Sequence, residues 1–125
     1  MDQVRFHMTD GKTRSTSYAF LSATDYTTAS TKIASSGAKY SLFIQKITLS
    51  VTTDNAATQL FQTNNGTPVE IAKSKASPGL GPIVWDFGTE GYQLPAGESL
   101  QHKMSATGMA GTVTIQAYEK KTVDG

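Results

Sequence analysis

IVWDFGTEGYQLPAGESLQHKMSATGMAGTVTIQAYE, residues Ile83 to Glu119, holds three alternating segments separated by two turn signals. Ile83, Trp85 and Phe87 share one face of the first segment, Leu100, His102 and Met104 one face of the second, and Val113, Ile115 and Ala117 one face of the third. Apolar residues at every second position, bounded by Gly and Pro, mark half-buried β-strands, because successive side chains of a strand point to opposite faces. Leu94-Pro95-Ala96-Gly97 suits a type I turn with Gly97 left-handed, and Ala106 to Gly111 reads as a hairpin joining the last two strands.

Upstream, Tyr40 to Thr52 is the longest strand candidate. Its apolar phase is Leu42 and Ile44, then Ile47, Leu49 and Val51, so it slips by one at Gln45-Lys46. One flat strand cannot change phase without turning over, which implies a β-bulge or a crossing between sheets. Thr58 to Thr63 and Thr67 to Lys73 flank Asn64-Asn65-Gly66, where Asn-Gly accepts the positive φ of a type I′ hairpin turn. Ala76 to Pro82 is a loop, and Gly88 and Gly91 open another around Tyr92.

Residues 1–39 are poorer in core residues. Val4, Phe6 and Met8 alternate with Arg5 and His7 as a short strand or arm, Tyr18 and Phe20 alternate again, and Tyr26 to Ala34 is Thr-rich with Ile33 its one strong apolar residue. The expected architecture is all-β: a single-domain β-sandwich of jelly-roll type, with about eight strands and no substantial helix. Residues 1–39 supply an N-terminal arm and edge strands, and 40–125 the core.

Composition agrees with that class and narrows function. The 125 residues include 12 Ser and 18 Thr, and Thr favours strands over helix interiors. Cysteine is absent, which removes disulfides, thiolate metal sites and Cys nucleophiles. Eleven basic and ten acidic side chains give a net charge of +1 without a basic stripe, so no nucleic-acid partner is expected. No apolar run approaches the roughly 20 residues that span a bilayer, and the N-terminus lacks the apolar core of a secretory signal, so neither membrane nor export is expected.

Chemistry is sparse. His7 and His102 have no metal-ligand or acid/base partners at suitable spacing, and His102 lies in phase with Leu100 and Met104, as a packed histidine would. Asp86, Glu90 and Glu98 are dispersed, Asp86 pointing opposite to Trp85. No Gly-x-Ser-x-Gly elbow or phosphate loop occurs. The expectation is no enzyme, no cofactor, no metal and no small-molecule ligand. Trp85, between Ile83 and Phe87, reads as core rather than a sugar platform. Tyr118 falls on the outward phase of its strand, and Tyr26 and Tyr92 sit in loop-like surroundings, so these three are candidate partner contacts.

LPAGESL (94–100) followed by an alternating strand, a Gly-bounded connection and TVTIQAY (112–118) resembles the closing strands of small jelly-roll head decoration proteins of tailed bacteriophages. ITLSVTTDNAATQLFQ (47–62) and SPGLGPIVWDFG (77–88) resemble the same group, which gives a span from about Tyr40 to Lys120. The resemblance implies a cement or auxiliary capsid protein, assembled in the host cytoplasm onto the exterior of the virion. Its partner would be the major capsid protein, often with the decoration protein as a homotrimer. It carries no catalytic residues over. Val4, Phe6 and Met8 are then candidate capsid contacts, as a short strand added to a neighbouring sheet. The rival expectation is a carbohydrate- or receptor-binding sandwich of a phage tail or a host protein.

Overall fold

The structure is a computed structural model and describes residues 4–5, 10–21, 30–53, 58–64, 67–75, 81–105 and 110–124. Among these, the regular elements are all strands: β1 (Val4–Arg5), β2 (Arg14–Leu21), β3 (Ser30–Ala34), β4 (Tyr40–Thr53), β5 (Thr58–Thr63), β6 (Glu70–Lys75), β7 (Ile83–Asp86), β8 (Tyr92–Gln93), β9 (Leu100–Met104) and β10 (Ala110–Lys121). They form two sheets. The first has the order β1-β3-β9-β5-β6; the second runs β2-β10-β4-β7, with β8 also on β4. All pairs are antiparallel except β1 with β3. Ten strands replace the expected eight or so, the surplus including the two-residue β1 and β8, too short to leave a period-2 signal.

The pairing is nested. β5 pairs β6, β4 pairs β7 and β8, β3 pairs β9, and β2 pairs β10. Each partnership encloses the previous one in sequence, and successive partnerships alternate between the sheets.

The apolar phases meet between the sheets. Ile33, Phe61, Leu100 and Met104 from the first sheet and Ile44, Ile47, Leu49, Val113, Ile115 and Ala117 from the second are each fully buried in one cluster. A large aliphatic side chain taken out of water in this way contributes about 1.5–3 kcal/mol. The phase slip in β4 is a bulge: Gln116 is paired with Lys46 but Ala117 with Ile44, which leaves Gln45 as the extra residue. That single insertion keeps Leu42, Ile44, Ile47 and Leu49 on the inner face of one 14-residue strand.

Three expectations need correction. β9 and β10 lie in opposite sheets, so the segment between them is a crossover and not a hairpin; its residues 106–109 fall outside the described ones. Gly-bounded connections serve both purposes, and alternation does not say which sheet a strand joins. β6 begins at Glu70 and not at Thr67, with Thr63 N–H donating to the Val69 carbonyl at 3.0 Å. Pro68 has no N–H for a ladder, so the connection from β5 is longer than a two-residue turn. Finally, the turn after β8 is Pro95 to Glu98, closed by Glu98 N–H donating to the Pro95 carbonyl at 3.1 Å, one residue later than expected. Gly97 does take a positive φ of 85°, but at the third position, which type I geometry excludes and type II requires.

Candidate functional site

The inner face of the β3-β9-β5 region is not wholly apolar. In β3, Thr31 pairs Gln101 and Ile33 pairs Leu100, so Lys32 is an extra, bulged residue. A bulge re-aims its side chain, and here both Lys32 and Ile33 are fully buried. The Lys32 ammonium lies 4.8 Å from the Tyr18 ring centroid, a cation–π approach. Tyr18 Oη is 3.2 Å from His102 Nδ1, and His102 Nε2 is 2.6 Å from Gln59 Oε1. His102 also stacks on Phe61, with centroids 4.5 Å apart and planes 9° off parallel.

An amide oxygen can only accept, so the network assigns the ring proton to Nε2, and Nδ1 accepts the Tyr18 hydroxyl. Burial, with the Lys32 charge adding to it, pushes the His102 pKa down to about 3. The imidazole is therefore neutral and bridges the two sheets, since Tyr18 belongs to one and His102 and Gln59 to the other. Lys32, Gln59 and His102 are each 0% exposed and Tyr18 is 9% exposed, so no substrate reaches them. This arrangement orients and cross-links. It presents no reactive group to solvent.

A second buried polar contact closes one end of the sandwich. The fully buried Glu119 carboxylate accepts from Ser36 N–H at 2.9 Å and from the Ser36 hydroxyl at 2.5 Å, and Ser99 Oγ accepts from Ser35 N–H at 2.8 Å. Neither Lys32 nor Glu119 stood out in the sequence. The only available signal at Lys32 was its place beside Ile33 in a strand that has few other core residues.

Of the residues singled out from sequence, His102 is packed and bonded as that phase implies. Trp85 is half-buried against the core, edge-on to Phe61 at 5.6 Å. Asp86 points outward, its Oδ1 accepting from Gly88 N–H at 2.9 Å. Tyr118 lies on the outer face of β10, half-buried; its ring stacks on Phe43 at 4.7 Å and its hydroxyl donates to the Glu90 carbonyl at 2.6 Å. Tyr92 is 36% exposed and sits in β8 rather than in a loop, its ring 6.0 Å from Phe87. Val4 lies in β1, which pairs with β3 of its own chain. Phe6, His7, Met8 and Tyr26 lie outside the described residues. Tyr92 and Tyr118 flank β4 from opposite sides, Tyr92 of β8 paired with Ile44 and Tyr118 of β10 paired with Phe43. Among the described residues, no group of three or more His, Asp and Glu converges as metal ligands would.

Among the described residues, two depressions open to solvent, one on the outer side of each sheet. On the β2-β10-β4-β7 side, about 220 Å³ is lined by Thr13, Gln45, Lys46, Asp86, Thr89 and Gln116. The bulged Gln45 braces it, accepting from the Thr13 hydroxyl at 2.9 Å and donating to the Thr89 carbonyl at 2.6 Å. On the β9-β5-β6 side, about 330 Å³ is lined by Thr58, Leu60, Lys73, Lys103, Met104 and Ser105. The chemistry available on both is recognition, through hydroxyls, amides and ammonium groups. Compared with protein-family models and with curated proteins, the chain gives no match.

Proposed function

We propose that this protein is a non-enzymatic structural component of a virion. It binds the major capsid protein on the outer surface of a bacteriophage head and cements the shell, acting as a homotrimer. The observation that carries this reading is the nested strand pairing. Partnerships of 5 with 6, 4 with 7, 3 with 9 and 2 with 10, alternating between sheets ordered 2-10-4-7 and 3-9-5-6, support a jelly-roll reading of this two-sheet sandwich. That is the architecture of the decoration proteins which the 94–118 segment resembles.

The outer faces support the reading. Ser15, Ser17 and Ala19 of β2 and Thr112, Thr114 and Gln116 of β10 form a carpet of short, mostly polar side chains, held flat in part by the 2.8 Å contact between the Ser17 and Thr114 hydroxyls. Such a surface suits wide, shallow contacts between rigid subunits better than capture of a small ligand. Stabilisation follows from mass action: a protein that binds the assembled shell and not its separated subunits shifts the equilibrium toward the shell.

The test is to mix purified protein with expanded, undecorated heads, then measure co-sedimentation and the temperature at which DNA escapes. Saturable binding with an upward shift is expected. Neither binding nor a shift sinks the reading.

One observation favours a second reading. The braced polar depression beside Asp86 and Gln116 has the hydrogen-bonding groups of a carbohydrate site, as in a receptor-binding module. A glycan-array signal lost in Asp86→Ala would favour it.

A further inference from the structure

The β9-β5-β6 surface carries a charge arrangement that the fold does not use. In the register, Leu60 of β5 is paired with Lys73 of β6 on one side and with Lys103 of β9 on the other. These three side chains therefore stand in one row across three strands, on the outer face opposite Phe61. Lys75 stands one row away, where it is paired with Thr58. Among the described residues, none of the three lysines makes an ion pair. No Asp or Glu lines the depression between them; Leu60 is its central apolar side chain, and Thr58 and Ser105, also in its lining, are joined by Thr58 N–H donating to Ser105 Oγ at 2.8 Å. Lys73 and Lys103 stand two strands apart, so they add to one local positive field rather than strain the sheet, and such a field favours a ligand of opposite sign.

We propose that this lysine-framed trough is the docking face for an acidic, extended segment of a partner protein, with an apolar side chain seated on Leu60 and carboxylates on Lys73 and Lys103. The inference rests on the capsid reading only for the identity of that partner, which would then be a capsid subunit. Charge complementarity selects the occupant, and spacing fits it. Lys73 and Lys103 flank Leu60 at one interstrand spacing each, about 4.8 Å, while same-side neighbours of an extended peptide lie about 6.7 Å away, within reach of lysine stems that lean outward.

The probe is a blocked pentapeptide, Glu-Glu-Leu-Glu-Glu, titrated into the isotopically labelled full chain and followed by amide NMR. Shifts concentrated on β5, β6 and β9 are expected. In Lys73→Glu/Lys103→Glu, affinity falls by about tenfold or more, whereas Lys121→Glu, on the other sheet, changes it little. Unperturbed amides elsewhere show that the variants remain folded, and the milder Lys73→Gln/Lys103→Gln pair gives an intermediate loss. Shifts elsewhere, or no loss in the charge-reversed pair, overturn the proposal. So does displacement by inorganic phosphate at equal charge, which marks a general anion site, or tighter binding of a short DNA duplex.

Undecorated heads separate this inference from the capsid reading. If wild-type protein binds heads and the charge-reversed pair binds equally well, the docking face is wrong and the capsid reading survives. If wild-type protein ignores heads while the peptide result holds, the docking face survives without it.

Discussion

The two sheets are built on the same principle and differ in what they bury. Over residues 44–49 and 113–117 the inner face of β10-β4 is a lattice of Ile44, Ile47, Leu49, Val113, Ile115 and Ala117, all fully buried and aliphatic, and its one buried charge, Glu119, lies at the end of β10. The inner face of β3-β9-β5 mixes Ile33, Phe61, Leu100 and Met104 with Lys32, Gln59, Thr63 and His102, which are as deeply buried. Burying aliphatic groups stabilises through area alone and tolerates sliding. Burying polar groups costs several kcal/mol unless partners meet them in one geometry, so that half of the core constrains which arrangement the sandwich adopts. The long ladders supply stability. The polar half specifies alignment.

Breaking the aliphatic half has the largest expected effect. Ile115→Ala leaves a cavity at a position with no exposure, and should lower unfolding free energy by about 2–5 kcal/mol in urea titration. The same substitution at half-exposed Leu60 should cost much less.

Acid separates the halves next. The folded His102 pKa is about 3 against an ordinary 6.5, so below the ordinary value the unfolded chain binds the extra proton. The stability that the neutral ring contributes is fully present above about pH 6.5 and is lost as pH falls toward 3, at up to about 1.4 kcal/mol per unit. A Gibbs energy measured from pH 7 to pH 4.5 should carry this slope in the wild type and lack it in His102→Phe.

A smaller effect is expected from Gln59→Leu, which removes the acceptor of the His102 Nε2 proton and should cost about 1–3 kcal/mol. Combined with His102→Phe, the two losses should be less than additive; strict additivity would mean that the pair does not act as a unit. The smallest belongs to the outer carpet. Ser17→Ala should change stability by at most about 0.5 kcal/mol, because its hydroxyl contact with Thr114 is exposed.

This contrast also explains what could be read from sequence. The aliphatic half was legible: alternation located β7 and β10, and the slip at Gln45-Lys46 announced the bulge, because the inward residues from Ile44 to Leu49 and from Val113 to Ala117 are apolar. In the polar half the same arithmetic fails. Lys32 points inward only because β3 bulges, and nothing in Thr31-Lys32-Ile33 distinguishes that from a surface lysine. His102 was readable through its phase between Leu100 and Met104, but its partners Tyr18 and Gln59 lie 84 and 43 positions away. Sheet membership was illegible for a similar reason: a strand's own pattern records that one face is buried, not which neighbour completes it, and so the β9–β10 crossover read as a hairpin. The trough on β9-β5-β6 exists only through register, since Leu60, Lys73 and Lys103 are scattered in the chain.

The nested pairing has a consequence in time. Only the β5–β6 hairpin is local; the outermost partnership joins Arg14 to Ala117, about a hundred positions apart. Topologies dominated by distant contacts fold in milliseconds to seconds, and loop closure must be met before the contacts reward it. On the ribosome, β2 waits with an unpaired edge until β10 emerges, so the second sheet closes only after nearly all of residues 1–121 have been made. A nascent chain stalled before Ala110 would therefore hold the hairpin but not the sandwich, and would expose the aliphatic face of β4 to whatever chaperone is near.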